Sequence, residues 1–163
     1  MKVYTAIKGT LDPFITALRR ADGCPESAQR SEQGIEWSSV SVFLEVPEAA
    51  WVCANDLAFA FRDRFPVSPG HTLIVTRRVT PDWFSATDDE QRAVLSLIAE
   101  VKQRLDNELA PDGYNVGFNA GVAAGQTVVH LHVHVIPRYA GDVPDPRGGI
   151  RHVIPGRGNY LAR

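Results

Sequence analysis

The sequence predicts an α+β domain built around a mainly antiparallel sheet. At least four short segments of alternating or β-branched apolar residues have the pattern of strands, and two segments have the pattern of helices. These elements follow one another without a regular β-α-β rhythm, which argues against a parallel sheet. A chain of 163 residues is long enough to bury one core, so we expect a single domain over residues 1–163.

The amino-terminal part predicts a strand, a helix, a loop and a second strand. Within residues 1–20, Asp12 can cap a helix that has Pro13 at its first position. Residues 22–39 are polar and rich in turn formers, which indicates a loop. Residues 40–46 alternate loosely and predict a strand.

Three further strands are expected before the next helix. Residues 51–53 and 57–61 are separated by an Asn-Asp turn. Two prolines and a glycine within residues 66–70 predict a rigid turn. Residues 71–76 are rich in β-branched side chains and have the composition of a strand that is buried on both faces.

A long amphipathic helix and another strand follow. Thr87 and Glu90 have the spacing of a capping box, and the apolar stripe of the helix continues to about Leu109. Residues 114–119 predict a strand. The small residues of segment 120–127 then form a loop whose backbone N–H groups can bind an anion.

The most informative stretch is residues 130–136, where three of the five histidines alternate with branched apolar residues. On a strand, His130, His132 and His134 share one face. Three imidazoles side by side are an unusual choice for a merely solvated face, because each disfavours the charging of the others. The pattern therefore favours chemistry over a half-buried structural strand.

Two chemistries suit three imidazoles on one strand face. The first is a metal site, since three histidines and a water complete a catalytic zinc centre, but no carboxylate that would orient the imidazoles is obvious. The second is phosphoryl or nucleotidyl transfer, because a neutral imidazole with a pKa of about 6.5 is a competent nucleophile. Loop N–H groups and Gln126 would then stabilise the charge on the phosphate. The spacing favours this second chemistry.

Composition argues against several other classes of protein. The formal net charge of −2 leaves no general basic field for nucleic acid. No apolar run is long enough to cross a bilayer, and the amino terminus lacks a signal-peptide pattern. The widely spaced Cys24 and Cys53 give no disulfide framework. We expect a cytoplasmic protein without nucleic-acid or membrane partners.

The histidine strand and the segments around it resemble the histidine triad (HIT) family of nucleotide hydrolases and transferases. The resemblance covers about residues 51–142 in the family's order and includes segments 57–61, 66–73, 119–121 and 137–142. It implies a five-stranded, mainly antiparallel sheet with two helices. It also implies a homodimer in which the sheet continues from one subunit to the other.

The resemblance also implies roles for individual residues. His132 matches the family's nucleophile, which attacks the α-phosphorus of a nucleotide, and His130 and His134 match its flanking partners. His71 matches a fourth histidine behind the triad. The implied nucleotide-binding residues are Asp63 for the ribose, Phe59 and Phe61 near the base, and Asn119, Gln126 and Thr127 beside the phosphates.

Two departures from the family pattern concern zinc. Many relatives bind zinc through a Cys-x-x-Cys pair and a further histidine, whereas this chain has Ser27 and Val79 at two of those positions. Zinc is therefore not expected, and no metal site or cofactor is required in the fold. Mg²⁺ is expected only together with the substrate.

The segment after the histidines favours one branch of the family. Residues 137–142 look more like the dinucleoside polyphosphate hydrolases than the nucleoside phosphoramidases. A hydrolase is therefore expected, which cleaves at the α-phosphate of a diadenosine polyphosphate through a nucleotidyl-histidine intermediate. A nucleotidyl transferase, a phosphoramidase and a nucleotide- or metal-binding protein without turnover are the alternatives.

The carboxyl-terminal arm, residues 143–163, carries four arginines and a histidine. One interpretation is an extended arm that packs on a partner subunit. The other is that Arg147, Arg151 or His152 reaches the phosphates of the substrate.

Overall fold

Five strands form a single antiparallel sheet within residues 41–161, the part of the chain that the computed structural model describes. The order of the strands in the sheet is β1-β2-β3-β5-β4, and every neighbouring pair is antiparallel. This confirms the α+β class and the five-stranded sheet. The strands are β1 (Trp51–Ala54), β2 (Ala58–Arg62), β3 (Thr72–Thr76), β4 (Gly113–Gly117) and β5 (His132–Arg138).

One α-helix, α1 (Asp88–Leu109), lies in the described part of the chain. Its capping box is present: Glu90 N donates to Thr87 Oγ1 at 3.2 Å, and Thr87 N donates to Glu90 Oε2 at 2.8 Å. The buried Glu90 carboxylate also accepts two hydrogen bonds from Arg78 at 2.8 and 2.7 Å, which lowers its pKa. The start of α1 is thereby attached to the segment after β3. The second predicted helix and the loop at 22–39 lie outside the described residues.

The two faces of the sheet bury different kinds of side chain. Because side chains alternate along a strand, each strand sends one set to α1 and the other set to the opposite face. The face that packs on α1 forms the main apolar core. The opposite face carries His132, His134 and a smaller apolar cluster of Phe59, Phe61, Leu73 and Val75.

The prediction of a strand at residues 40–46 is wrong, because Val42–Glu45 forms a short 3-10 helix. Ser41 caps this helix by accepting a hydrogen bond from Phe43 N at 3.3 Å. A hydroxyl cap of this kind favours a turn over an extended ladder. The histidine strand also begins later than predicted, at His132, so that His130 precedes it.

The carboxyl-terminal arm is folded rather than extended over residues 143–161. Gly149–Val153 forms a short 3-10 helix that contacts β4. Asp145 holds the arm together by pairing with Arg147 at 2.8 Å and by accepting from Asn159 at 2.6 Å. Among residues 41–161, no helix combines the length and the apolar character needed to cross a membrane.

The turn before β3 depends on Gly70, which has a φ of +84°. A Cβ atom at this position would lie 2.6 Å from Leu109 Cδ1 and 2.8 Å from Leu105 Cδ2, so the turn packs directly on the end of α1. Only glycine combines this conformation with so close an approach.

Gly70→Ala is therefore expected to destabilise the protein more than Gly141→Ala does. Gly141 has the same φ of +84° but no atom within 4 Å of its would-be Cβ. Both variants place an alanine in the left-handed backbone conformation, which costs roughly 1–2 kcal/mol. Gly70→Ala adds an overpacking cost of roughly 1–3 kcal/mol. Urea denaturation of both variants measures the difference, and equal free energies of unfolding would contradict it.

Candidate active site

His132 has its two ring nitrogens in different environments. Its Nδ1 lies 2.7 Å from the backbone carbonyl oxygen of His130. A carbonyl oxygen only accepts hydrogen bonds, so Nδ1 carries the proton of the neutral ring. Nε2 then has a free lone pair. This arrangement prepares His132 as a nucleophile at Nε2.

His130 acts through its backbone more than through its imidazole. Its side chain is fully buried, and its Nε2 donates to the carbonyl oxygen of Thr76 at 2.8 Å. Burial lowers the pKa of this imidazole. The ring thus fastens the entry of β5 to the end of β3, while the carbonyl of the same residue orients His132. A phosphate contact by the His130 ring stays a prediction.

His134 is hydrogen-bonded to His71, which immediately precedes β3. His71 Nε2 lies 3.0 Å from His134 Nδ1. The backbone N–H of Val67 donates to His71 Nδ1 at 3.3 Å, so that Nδ1 accepts and Nε2 carries the proton given to His134. His134 then carries its own proton on Nε2. The Nε2 atom of His134 is therefore a hydrogen-bond donor, whereas the Nε2 atom of His132 is an acceptor.

Asp63 places a carboxylate beside the same imidazole pair. Its Oδ2 lies 3.3 Å from His71 Nδ1, on the side away from His134. The negative charge raises the pKa of His71, although burial lowers it by more. The carboxylate therefore stabilises a second proton on His71. No such carboxylate was obvious in the sequence, and the fold supplies one in Asp63. The predicted ribose contact of Asp63 stays a prediction.

The hydrogen-bonded imidazoles of His71 and His134 are held in their neutral form. Burial, followed by repulsion from His132 and His71, lowers the pKa of His134 to about 4. Burial also lowers the pKa of His71. At neutral pH, His71 and His134 are consequently uncharged.

Within residues 41–161, Asp63, His71 and His134 form the group of side chains that could hold a metal ion. Their ligand atoms all lie within 4.8 Å of one another. A cation there would have to break the hydrogen bond between the two imidazoles, in which one nitrogen carries a proton. The donor set is thus arranged as a hydrogen-bonded chain, and a site without metal stays the prediction.

A cavity of about 670 Å³ opens beside His132 and His134. Of the predicted nucleotide-binding residues, Phe61, Asp63 and Thr127 line it. The 3-10 segment at residues 42–47 supplies a wall that the sequence did not predict. The unpredicted lining residues are Val42, Phe43, Glu45, Val46, Pro47, Arg64, Phe65, Leu73 and Val128.

Phe43 is the most prominent of the unpredicted residues. Its ring lies 5.0 Å from the ring of His132 and 5.9 Å from that of Phe61. The signal available in the sequence was Ser41, whose hydroxyl can cap a turn by accepting from Phe43 N.

Three predicted binding residues do not line the cavity. Phe59 shares the face of Phe61 but lies deeper, stacked on Trp51 at 4.6 Å. Within residues 41–161, neither Asn119 nor Gln126 is among the residues that line the cavity.

The Gln126 side chain supports the small-residue loop. Its Oε1 accepts from Gly121 N at 2.8 Å, and its Nε2 donates to the carbonyl oxygens of Pro81 at 2.6 Å and Val128 at 3.1 Å. Both amide hydrogens are engaged, so Gln126 shapes the loop next to Thr127. A direct phosphate contact stays a prediction.

The basic residues of the arm that fall within residues 143–161 do not line this cavity. Arg147 is paired with Asp145, Arg151 donates to the carbonyl oxygen of Gly158, and His152 contacts the carbonyl oxygen of Arg147. Within residues 41–161, Arg64 is the cationic side chain on the cavity wall.

Comparison with known proteins identifies relatives of this domain. The HIT domain family matches residues 45–141. An uncharacterised 16.1 kDa HIT-like protein from Mycoplasma pneumoniae is 45% identical over 86 residues, which are 52% of this chain and 59% of that protein. The matched region thus spans less than two thirds of that relative's length.

Two relatives carry enzyme names. The AP-4-A phosphorylase of Mycobacterium tuberculosis is 33% identical over 111 residues, which are 64% of this chain and 57% of that protein. The asymmetrical bis(5'-nucleosyl)-tetraphosphatase of Schizosaccharomyces pombe is 36% identical over 86 residues, which are 53% of this chain and 47% of that protein.

The fold has a counterpart among solved structures. The crystal structure of a HIT-like protein involved in cell-cycle regulation from Bartonella henselae matches with a TM-score of 0.57 and 29% sequence identity. The match covers 62% of this chain and 81% of the other.

Acidification is expected to lower the free energy of unfolding. The pKa values of His71, His130 and His134 are lower in the folded protein than in the unfolded chain, where they are about 6.5. The unfolded chain therefore binds more protons below about pH 7, and each histidine contributes a slope of at most about 1.4 kcal/mol per pH unit. Urea denaturation between about pH 7 and pH 5 measures the slope. His134→Gln should make it shallower, and an unchanged slope would contradict this account.

Removal of the Asp63 charge is expected to lower the pKa of His71 further. The carboxylate is the group that raises it against the effect of burial. NMR titration of the imidazole resonances in Asp63→Asn measures the change. Asp89→Asn is the control, because Asp89 pairs with Arg92 on the surface of α1. A His71 titration that responds to both variants alike would refute a specific contact.

Proposed function

The chain belongs to the HIT domain family, and we propose that it is a nucleotide hydrolase which cleaves a dinucleoside polyphosphate through a nucleotidyl-histidine intermediate. The hydrogen bond from His132 Nδ1 to the carbonyl oxygen of His130, 2.7 Å long, carries this proposal. It leaves the Nε2 lone pair as the nucleophile of the cavity.

In the first step, His132 Nε2 attacks the α-phosphorus of the bound nucleotide. A nitrogen–phosphorus bond forms, and the bond from this phosphorus to the bridging anhydride oxygen breaks. The leaving group is the rest of the polyphosphate with its nucleoside. The His132 ring becomes cationic, and the carbonyl of His130 stabilises that charge because it already accepts the Nδ1 proton.

His134 is suited to the phosphate oxygens. Its Nε2–H donates a hydrogen bond to the phosphate or to the leaving oxygen, and His71 Nε2–H fixes this tautomer by donating to His134 Nδ1 at 3.0 Å. Asp63, whose Oδ2 lies 3.3 Å from His71 Nδ1, favours protonation of that nitrogen and so the charged form of His71.

In the second step, water attacks the same phosphorus. The nitrogen–phosphorus bond breaks, its electron pair returns to Nε2, and one proton is released from the water. The products are a nucleoside monophosphate and the shortened polyphosphate, and His132 is regenerated.

The apolar wall suits the base of the reacting nucleotide. Phe43, Val46, Phe61 and Leu73 line the cavity next to His132. A purine can stack against such side chains without a charged partner. Asp63, on the same wall, is the candidate partner of the ribose hydroxyls.

The named relatives support this class of substrate. Both the Mycobacterium tuberculosis phosphorylase and the Schizosaccharomyces pombe tetraphosphatase have names that refer to dinucleoside tetraphosphates. The phosphorylase favours a second candidate function, in which inorganic phosphate replaces water in the second step.

Several accompanying expectations belong to the same proposal. A homodimer would continue the sheet through β4, which lies at one edge of the sheet formed by residues 41–161. Mg²⁺ enters with the substrate phosphates, and the fold itself requires no cofactor. The cytoplasmic location and the lack of nucleic-acid and membrane partners stay predictions from composition.

Rapid-quench incubation with diadenosine tetraphosphate tests the mechanism. We expect AMP and ATP as products together with an acid-labile nucleotide adduct on the protein. His132→Ala should abolish the adduct and lower turnover by roughly a thousandfold or more, because the nucleophile is lost. His152→Ala, which removes a histidine outside the cavity, is the control and should retain both.

The products with added phosphate separate the two candidate functions. ADP and ATP formed only when phosphate is present would establish the phosphorylase. An adduct that persists in His132→Ala would refute the assignment of the nucleophile. Binding without turnover would refute both enzymes and favour a nucleotide-binding protein, and turnover of a nucleoside phosphoramidate alone would favour the phosphoramidase branch.

A further inference from the structure

We propose that Arg64 and Phe65 form a second subsite, which holds the distal half of a dinucleoside polyphosphate. Arg64 contacts the phosphates beyond the reacting one, and Phe65 stacks on the base of the second nucleoside. This inference rests on the proposed function and specifies its substrate class.

The position of Phe65 is the first observation. Its side chain is 78% exposed, yet it lines the same cavity as His132 and His134. Phe84 is also 78% exposed but does not line that cavity. Isolated exposed aromatic residues are common on protein surfaces, so exposure alone means little. The place of Phe65 at the rim of the histidine cavity distinguishes it.

The backbone presents Phe65 rigidly. Phe65 N donates to Asp63 Oδ1 at 2.9 Å, and Asp63 N donates to the carbonyl oxygen of His71 at 3.0 Å. Pro66 follows and restricts the conformation of Phe65. A ring on a fixed backbone loses little entropy when a base stacks on it.

Arg64 supplies the charge that a polyphosphate requires. The guanidinium carbon lies 5.7 Å from the centre of the Phe65 ring. The other charged side chains on this cavity wall within residues 41–161 are the carboxylates of Glu45 and Asp63, apart from the histidines. Arg64 is therefore the side chain that can form an ion pair with the phosphates that His134 does not contact.

The chemistry of the substrate identifies the occupant. The first base lies against the apolar wall of Phe43, Phe61 and Leu73 beside the nucleophile. Beyond the α-phosphorus, the substrate continues through further phosphates to a second nucleoside. That nucleoside presents a flat aromatic base. Any base can stack favourably on an aromatic ring, because every base has a π-face. A substrate that lacks the second nucleoside has no base to stack on Phe65.

Two substrates that differ only in the second nucleoside test the subsite. We expect the ratio of kcat/KM for diadenosine tetraphosphate to that for adenosine 5'-tetraphosphate to fall roughly tenfold in Phe65→Ala, as the loss of one base–aromatic stack predicts. Phe65→Trp should retain the ratio, because the larger ring still stacks. Phe84→Ala, matched in exposure, should leave the ratio unchanged.

Arg64→Gln tests the phosphate contact separately. We expect kcat/KM to fall for both substrates and to depend less on salt, because one charge pair has been removed. A rate and a salt dependence equal to those of the wild-type protein would overturn the role of Arg64.

The outcomes separate this inference from the proposed function. A wild-type protein that cleaves both substrates, with the ratio unchanged in Phe65→Ala, overturns the subsite alone. Equal losses on both substrates in Phe65→Ala place Phe65 in the pocket of the first nucleoside and also overturn it. A wild-type protein that cleaves neither substrate overturns the proposed function and, with it, the subsite.

Discussion

The antiparallel pairing of β3 with β5 is the constraint on which the rest of the site depends. Its register places Leu73 opposite His134 and Val75 opposite His132. It also brings His71, immediately before β3, within hydrogen-bond distance of His134. A slip of one residue would turn both histidines toward α1 and send Val133 to the cavity. The apolar contacts of Val133 and Val135 with the core oppose that slip, so burial on the helix face holds the chemistry on the other face.

The site combines neutral imidazoles with fixed hydrogen-bond directions. Burial disfavours the charged form of His71, His130 and His134, and repulsion from neighbouring imidazoles adds to that effect at His130 and His134. The carbonyl of His130 and the N–H of Val67 then decide which nitrogen carries each proton. His132 and His134 consequently have opposite roles, one with a free lone pair and the other with a free N–H, although the two residues are chemically identical.

Much of the framework was predictable because its signals are local. The β-branched run of β3, the capping box at Thr87 and the alternation around His132 each act over a few neighbouring residues. The segment at residues 42–47 was not predictable in this way, because a single turn of 3-10 helix has no period to detect. The hydrogen bonds of the Gln126 amide to two backbone carbonyls were not predictable either, because the loop conformation brings those carbonyls to it.

The sequence by itself determined the strands, the capped helix and the presence of three alternating histidines, since propensity and periodicity are properties of adjacent residues. Only the tertiary structure decided how those histidines differ. The contact between His71 and His134 joins residues that are 63 positions apart, and the cavity wall at Phe43 comes from a segment far from the triad in sequence. Such contacts depend on strand register and on packing across the sheet, which no local pattern specifies.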